Sequence, residues 1–181
     1  MDLAMAVMHI RLHAAEYGID PEKVIVLGAS AGGHLCASEA FLHDCLKKEV
    51  LSLLTGKRRE EYQKISARPD GVGLLYPVIS FLTEYHEGSY LNLTGGREEL
   101  RDKLSVEFHI SGDYPPTYAF ANADDGCVPA SNTIRLDKAL EKAGVLHLCE
   151  IFPSGDHGIG LGYTLSCRKW SENMLAFFEN I

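Results

Sequence analysis

Three short stretches hold residue types that together could carry acyl transfer: "VIVLGASAGGHL" from Val24, "ANADDGCVPASN" from Ala121, and "FPSGDHGIGLG" from Phe152. A serine hydroxyl is a weak nucleophile at neutral pH; it needs a base within hydrogen-bond reach, and the base needs an orienting group. Ser30 sits in Gly28-Ala29-Ser30-Ala31-Gly32, between an apolar run and a helix-forming stretch. That context is the sequence form of a nucleophile elbow, in which a strained turn pushes Ser30 Oγ outward. Small residues at Gly28 and Gly32 are expected to let strand and helix approach closely. The Ala31 N–H, at the helix start, is then aimed at a developing oxyanion. His157 stands in a glycine-flanked loop free to aim an imidazole, and is the candidate general base and acid. The orienting acid falls to Asp125, because the turn "DGCVP" can fold its side chain back toward the sheet; Asp124 is the alternative.

Each residue also has a plain structural meaning: a flexible-loop serine, a turn or N-cap aspartate, a surface histidine. Their joint placement after separate apolar runs argues for chemistry. His34, one turn into the elbow helix, reads as a packing or hydrogen-bonding residue. His86 and His109 fall in a long connection where they could line a pocket, although loop histidines are usually solvated. His9, His13, His43 and His147 read as structural or surface residues. No spacing of histidines with carboxylates suggests a metal, and no cofactor is expected.

The elements that must position these residues are four apolar runs, "KVIVLGA", "GVGLLYPVI", "TYAFANA" and "HLCEIF". Near-continuous apolar runs suit parallel strands covered on both faces. Helical patterns run from Asp2 to Tyr17, Ala31 to about Asp44, Ala130 to Ala143 and Thr164 to Asn180, with Gly18 and Gly144 as stop signals. Strand and helix in alternation imply an α/β chain with about four mainly parallel strands flanked by helices. Two long connections break the alternation. The first, from Cys45 to Asp70, is charge-laced and predicts a surface helix; the second, from Ser80 to Pro116, is long enough to sit over a site.

The chain has 181 residues, 46% hydrophobic and 23% charged, which suits one domain with a sizeable core. With 17 Lys and Arg against 25 Asp and Glu, the net charge of −8 opposes nucleic acid and anionic membranes as partners. Five cysteines without Cys-x-x-Cys spacing suggest reduced thiols and a cytoplasmic protein. The first 18 residues lack the basic start and cleavage site of a signal peptide and the length of a membrane span.

The order Ser30, Asp125, His157 is that of α/β-hydrolase triads, and the surrounding residues resemble a known family. "GIDPEKVIVLGASAGGHLCAS", "LLYPVIS", "YPPTYAFANADDGCVPASN" and "KAGVLHLCEIFPSGDHGIGL" are similar to the nucleophile, following-strand, acid and histidine regions of acetyl esterases and acetylxylan esterases. Hormone-sensitive-lipase-like and kynurenine formamidase groups are relatives. The resemblance implies Ser30 as nucleophile, Asp125 as orienting acid, His157 as base and acid, and Ala31 N–H as an oxyanion donor. It implies a serine carboxylesterase acting on short acyl esters, often acetyl groups on xylo-oligosaccharides. An aryl formamidase with the same triad is the second reading; a non-catalytic half-hydrolase acting by binding or assembly is the third.

The family pattern also includes several strands before the nucleophile and a His-Gly-Gly-Gly-type loop that supplies further oxyanion donors. Here His157-Gly158 is the only His-Gly pair. A βαβ unit needs about 30 residues, more than precede Val24. The expectation is therefore a single, N-terminally truncated α/β-hydrolase domain over residues 1–181, the C-terminal portion of the fold. Its elbow strand would lie at an open edge, and such edges invite pairing. Homo-oligomerisation through that edge is expected, with a small-molecule or oligosaccharide ester as the other partner.

Overall fold

The computed structural model describes residues 1–181. In chain order the elements are α1 (Asp2–Leu12), α2 (Ala14–Tyr17), β1 (Ile25–Ala29), α3 (Ala31–Ser52), α4 (Gly56–Gln63), β2 (Gly71–Leu75), α5 (Glu87–Thr94), α6 (Arg101–Leu104), β3 (Thr117–Asn122), α7 (Ser131–Ala143), β4 (His147–Phe152) and α8 (Trp170–Glu179). Two short 3-10 turns, Glu98–Leu100 and Val106–Phe108, flank α6. The strands form one sheet in the order β1-β2-β3-β4, every pair parallel. Each strand is followed by helix before the next, which is how a parallel sheet returns the chain to its starting side.

The period-two alternation of side chains divides the core between the two faces of the sheet. Val72, Leu74 and Ala119 join Val7 of α1, Cys36, Ala37 and Ala40 of α3, and Leu136 and Leu140 of α7 on one side. Leu75, Tyr118 and Phe120 meet Trp170 and Phe178 of α8 on the other. Only β2 and β3 are covered on both faces, at 0–7% exposure for their apolar side chains. The expectation that all four strands are so covered does not hold for the edge strands. A single ten-residue helix spans the α8 face and leaves Ile25 and Leu27 of β1 at 39% and 50% exposure. β1 pairs on one side alone, with β2.

The helical boundaries move from their predicted places for local reasons. The first helix is interrupted at His13, whose backbone leaves helical geometry, before α2 ends on Gly18 in the left-handed region. α3 continues past Asp44 to Ser52, because Leu46 and Val50 still pack with α1 and Tyr62 of α4 while Lys48 and Glu49 are exposed. β2 stops at Leu75, well before Ile79: Tyr76 takes φ 38° and Pro77 has no N–H to extend a ladder. α8 begins only at Trp170, because the preceding turns are tied to the histidine loop by Ser166 Oγ and by the Trp170 indole donating to Gly160 O at 3.1 Å. The predicted surface helix is α4. No helix is long and apolar enough to cross a membrane.

Candidate active site

The three candidate residues lie beyond the C-terminal ends of β1, β3 and β4, where ligands bind in open α/β sheets. Ser30 caps α3 with φ 57° and ψ −123°, a conformation strained for any residue with a side chain. The surroundings over-determine it. Ser30 N–H donates to Leu75 O at 2.9 Å, while Ser30 O accepts from Gly33, His34 and Val78. A Cβ on Gly28 would lie 2.1 Å from Gly32 O, and one on Gly33 would lie 2.8 Å from Pro77 Cβ. The expected role of Gly32 in this close approach is therefore corrected: a Cβ there meets nothing within 4 Å. Gly28 makes the strand-to-helix contact possible through the Gly32 carbonyl, and Gly33 makes room for Pro77.

His157 is brought to Ser30 across most of the chain. Ser30 Oγ donates to His157 Nε2 at 2.9 Å, and His157 Nδ1 donates to Asp125 Oδ2 at 2.7 Å. The Asp125 carboxylate is fully buried, and its Oδ1 accepts from the Cys127 and Val128 N–H groups at 2.9 and 2.8 Å. These two donors hold the carboxylate in place while its other oxygen faces the imidazole. Asp124 points elsewhere. Its Oδ1 accepts from Gly155 and Asp156 N–H at 2.8 and 2.9 Å, so it braces the loop that carries His157. Asn122 adds a second brace, donating to Asp156 O at 2.8 Å. The Tyr76 ring meets the His157 ring edge-on, with centroids 4.8 Å apart.

Ala31 N–H opens a 22-residue helix and has no acceptor within the protein. Backbone donors at a helix start carry partial positive charge and favour a developing anion. The arrangement thus offers a hydroxyl, a base oriented by a buried carboxylate, and a free N–H beside them, the parts acyl transfer requires.

The remaining histidines separate clearly. His34 is buried and donates through Nε2 to Leu104 O at 2.7 Å; burial pushes its pKa down, opposed by that bond. His86 accepts the Ser89 N–H at the start of α5 and lines a cleft that opens at Ser30. His109 lies elsewhere, stacked on Phe41. Sequence reasoning missed Asn122, Tyr76 and Asn132. Asn132 of α7 holds the segment after β2 by accepting from Ile79 and Ser80 N–H at 3.1 and 3.0 Å. Position at the C-terminal end of a strand could have flagged Asn122; nothing local marks the other two.

A parallel sheet with a strained serine at the turn from β1 into α3, and an acid and a histidine on later strand ends, defines the α/β-hydrolase fold. A family profile described as BD-FAE matches residues 1–140, and the chain belongs to that family. Among solved structures, an acetyl ester-xyloside bifunctional hydrolase from Caldicellulosiruptor lactoaceticus superposes with a TM-score of 0.87 at 35% identity, over 99% of this chain and 64% of its own. Endo-1,4-beta-xylanase B of Butyrivibrio fibrisolvens is 33% identical over 94% of this chain and 26% of its own length. The acetylxylan esterase of Xylanibacter ruminicola is 31% identical over 84% and 29%. The chain therefore spans little more than a quarter of these two curated relatives.

Proposed function

We propose that this chain carries the acyl-transfer centre of a serine carboxylesterase acting on acetyl esters of carbohydrates. The observation that supports it most is the continuous relay from Asp125 through His157 to Ser30 at 2.7 and 2.9 Å. The acetyl and xylose chemistry in the names of the relatives supports the substrate class.

In this reading Ser30 Oγ attacks the acetyl carbonyl carbon as its proton passes to His157 Nε2. The carbonyl oxygen takes up the negative charge beside Ala31 N–H. Collapse breaks the bond to the sugar oxygen, which leaves with the proton from His157, and the acetyl group stays on Ser30. Water then attacks the acyl-enzyme, gives its proton to His157, and Ser30 leaves with that proton as acetate departs. Asp125 keeps its charge throughout, holding the ring tautomer and stabilising the imidazolium.

The test is covalent labelling by a fluorophosphonate together with acetate release from acetylated xylo-oligosaccharides. Label is expected on Ser30, and Ser30→Ala is expected to lose both labelling and release. Acetate release that survives Ser30→Ala overturns the assignment. A strong preference for aryl formamides over the acetylated sugars overturns the substrate class.

A further inference from the structure

Four residues other than glycine take a positive φ: Ser30, Tyr76, Glu84 and Asp156. Ser30 carries the hydroxyl, Asp156 precedes the histidine, and Glu84 is paired with Arg135 away from both. Tyr76, at φ 38°, lies beside the relay without a part in it. Such conformations persist only where the surroundings hold them, and they gather at active sites.

The packing shows what that angle accomplishes. Side chains along β2 alternate, Leu74 joining the α3 face of the core and Leu75 the α8 face. Continued alternation would send Tyr76 back to the α3 face, yet it shares the α8 face with Leu75. The positive φ breaks the alternation and turns the ring toward the loop after β4. There the ring meets His157 edge-on with centroids 4.8 Å apart, and it is backed by Phe120, also edge-on, at 5.6 Å. Both contacts have a geometry that aromatic rings favour. Phe120 in turn stacks on Trp170 at 5.4 Å, whose indole donates to Gly160 O in the histidine loop. Tyr76 N–H donates to Phe120 O at 2.6 Å, fixing the backbone beneath the ring, and the residue is 5% exposed.

The imidazole needs such a wall. It stands on a loop with Gly158 and Gly160 at positive φ, and two hydrogen bonds orient its ring, Nδ1–H to Asp125 and Nε2 from Ser30. Acylation removes the second, because the ester oxygen of an acyl-Ser30 has no proton to donate. Deacylation nevertheless requires Nε2 to be aimed at a water. With one bond left, the imidazole can swing about it unless a packed surface stands in the way. We propose that Tyr76 is a positioning residue whose ring keeps the His157 imidazole in line with Asp125 once Ser30 has been acylated. The part played in deacylation rests on the reading of Ser30 as nucleophile; the contact that orients the ring does not.

Pre-steady-state turnover of p-nitrophenyl acetate separates the two half-reactions. Tyr76→Leu and Tyr76→Met, two ringless apolar replacements of different shape, are expected to slow deacylation about 10²-fold, the loss that follows from misplacement by about 1 Å. Acylation should change far less, so acetyl-Ser30 accumulates in the mass spectrum, and kcat and KM fall together while kcat/KM holds. Tyr76→Phe, which keeps the ring, is expected to restore parental deacylation. A purely structural role would lower both half-reactions alike; that result, or a Tyr76→Phe no better than Tyr76→Leu, overturns the proposal. A second measurement needs no turnover. In the Ser30→Ala chain, where Nε2 has lost the same partner, the His157 Nδ1 proton is expected to give a downfield NMR resonance protected from exchange, kept on adding Tyr76→Phe and lost on adding Tyr76→Leu. Its survival with Tyr76→Leu overturns the proposal. A resonance that behaves as expected, in a chain whose Ser30 never takes the acetyl group, keeps the hold of Tyr76 on the ring and overturns the nucleophile instead.

Discussion

Replacing Gly28 by alanine tests whether the elbow depends on the approach of β1 to α3. The added methyl would lie 2.1 Å from Gly32 O, 2.5 Å from Gly32 C and 2.8 Å from Cys36 Sγ. Two of these neighbours are backbone, so relief requires strand and helix to part by roughly 1 Å, given carbon contacts near 3.5 Å at their optimum. Ser30 lies between the two elements, and its 2.9 Å contact with His157 would stretch beyond hydrogen-bonding range. Displacement by about 1 Å can lower turnover about 10²-fold, and overpacking destabilises by about 1–3 kcal/mol. At about 2–4 °C per kcal/mol for a chain of this size, the melting temperature should fall by several degrees. Gly32→Ala is the internal control. Its methyl meets nothing within 4 Å, and alanine is favoured over glycine in a helix by up to about 1 kcal/mol. Its melting temperature should hold or rise. Acetyl-ester turnover and thermal melts of the two variants, measured side by side, decide the matter. Equal loss in both, or no loss in Gly28→Ala, would refute the reasoning.

Two further outcomes follow from the same geometry. Asp125→Asn should lower acetyl-ester kcat by about 10³–10⁴-fold, since it disturbs the tautomer that presents Nε2 to Ser30; Asp124→Ala should lower it by about 10²-fold or less while making the segment around Gly155 more protease-sensitive. Reversal of that ranking in steady-state kinetics would transfer the orienting role to Asp124. The raised Glu39 pKa makes stability depend on pH in a stated direction. The folded state holds a proton that the unfolded chain releases near 4.5, so the stabilisation is complete below 4.5 and lost as pH rises through about 7. The rise from 4.5 to about 7 corresponds to roughly 3 kcal/mol. Urea midpoints at pH 5 and pH 8 should therefore diverge more in the parent than in Glu39→Leu; parallel behaviour would show that Glu39 does not titrate in the fold.

Strand identity was legible because apolar runs of β-branched residues, bounded by Gly and Pro, leave little alternative. Which strands are buried on both faces was not. "KVIVLGA" and "TYAFANA" look equally apolar, yet Leu27 is half exposed and Phe120 fully buried. The difference arises from sheet order and from which strands α8 reaches, both properties of tertiary contact. The ends of the helices were misjudged for a similar reason. The charges of "LKKEV" suggest that α3 should stop, but the helix persists because Leu46 and Val50 find partners on α1 and α4 that no local pattern announces. α8 starts late because its predicted first turns are recruited by the histidine loop.

For the site, residue types within each loop suggested the candidates, and contact between loops brings Ser30, His157 and Asp125 together. Adjacent carboxylates such as Asp124 and Asp125 are indistinguishable by type, and each could cap a turn. What separates them is the turn after β3, which sends Asp125 inward to Cys127 and Val128 N–H and leaves Asp124 facing the loop after β4. The two acids thus hold opposite ends of one construction: Asp125 fixes the imidazole, and Asp124 fixes the backbone that delivers it. Glu39 shows the converse limit. It lies in the middle of a helix whose pattern makes a carboxylate unremarkable, and only the fold shows that it is buried with neither oxygen hydrogen-bonded.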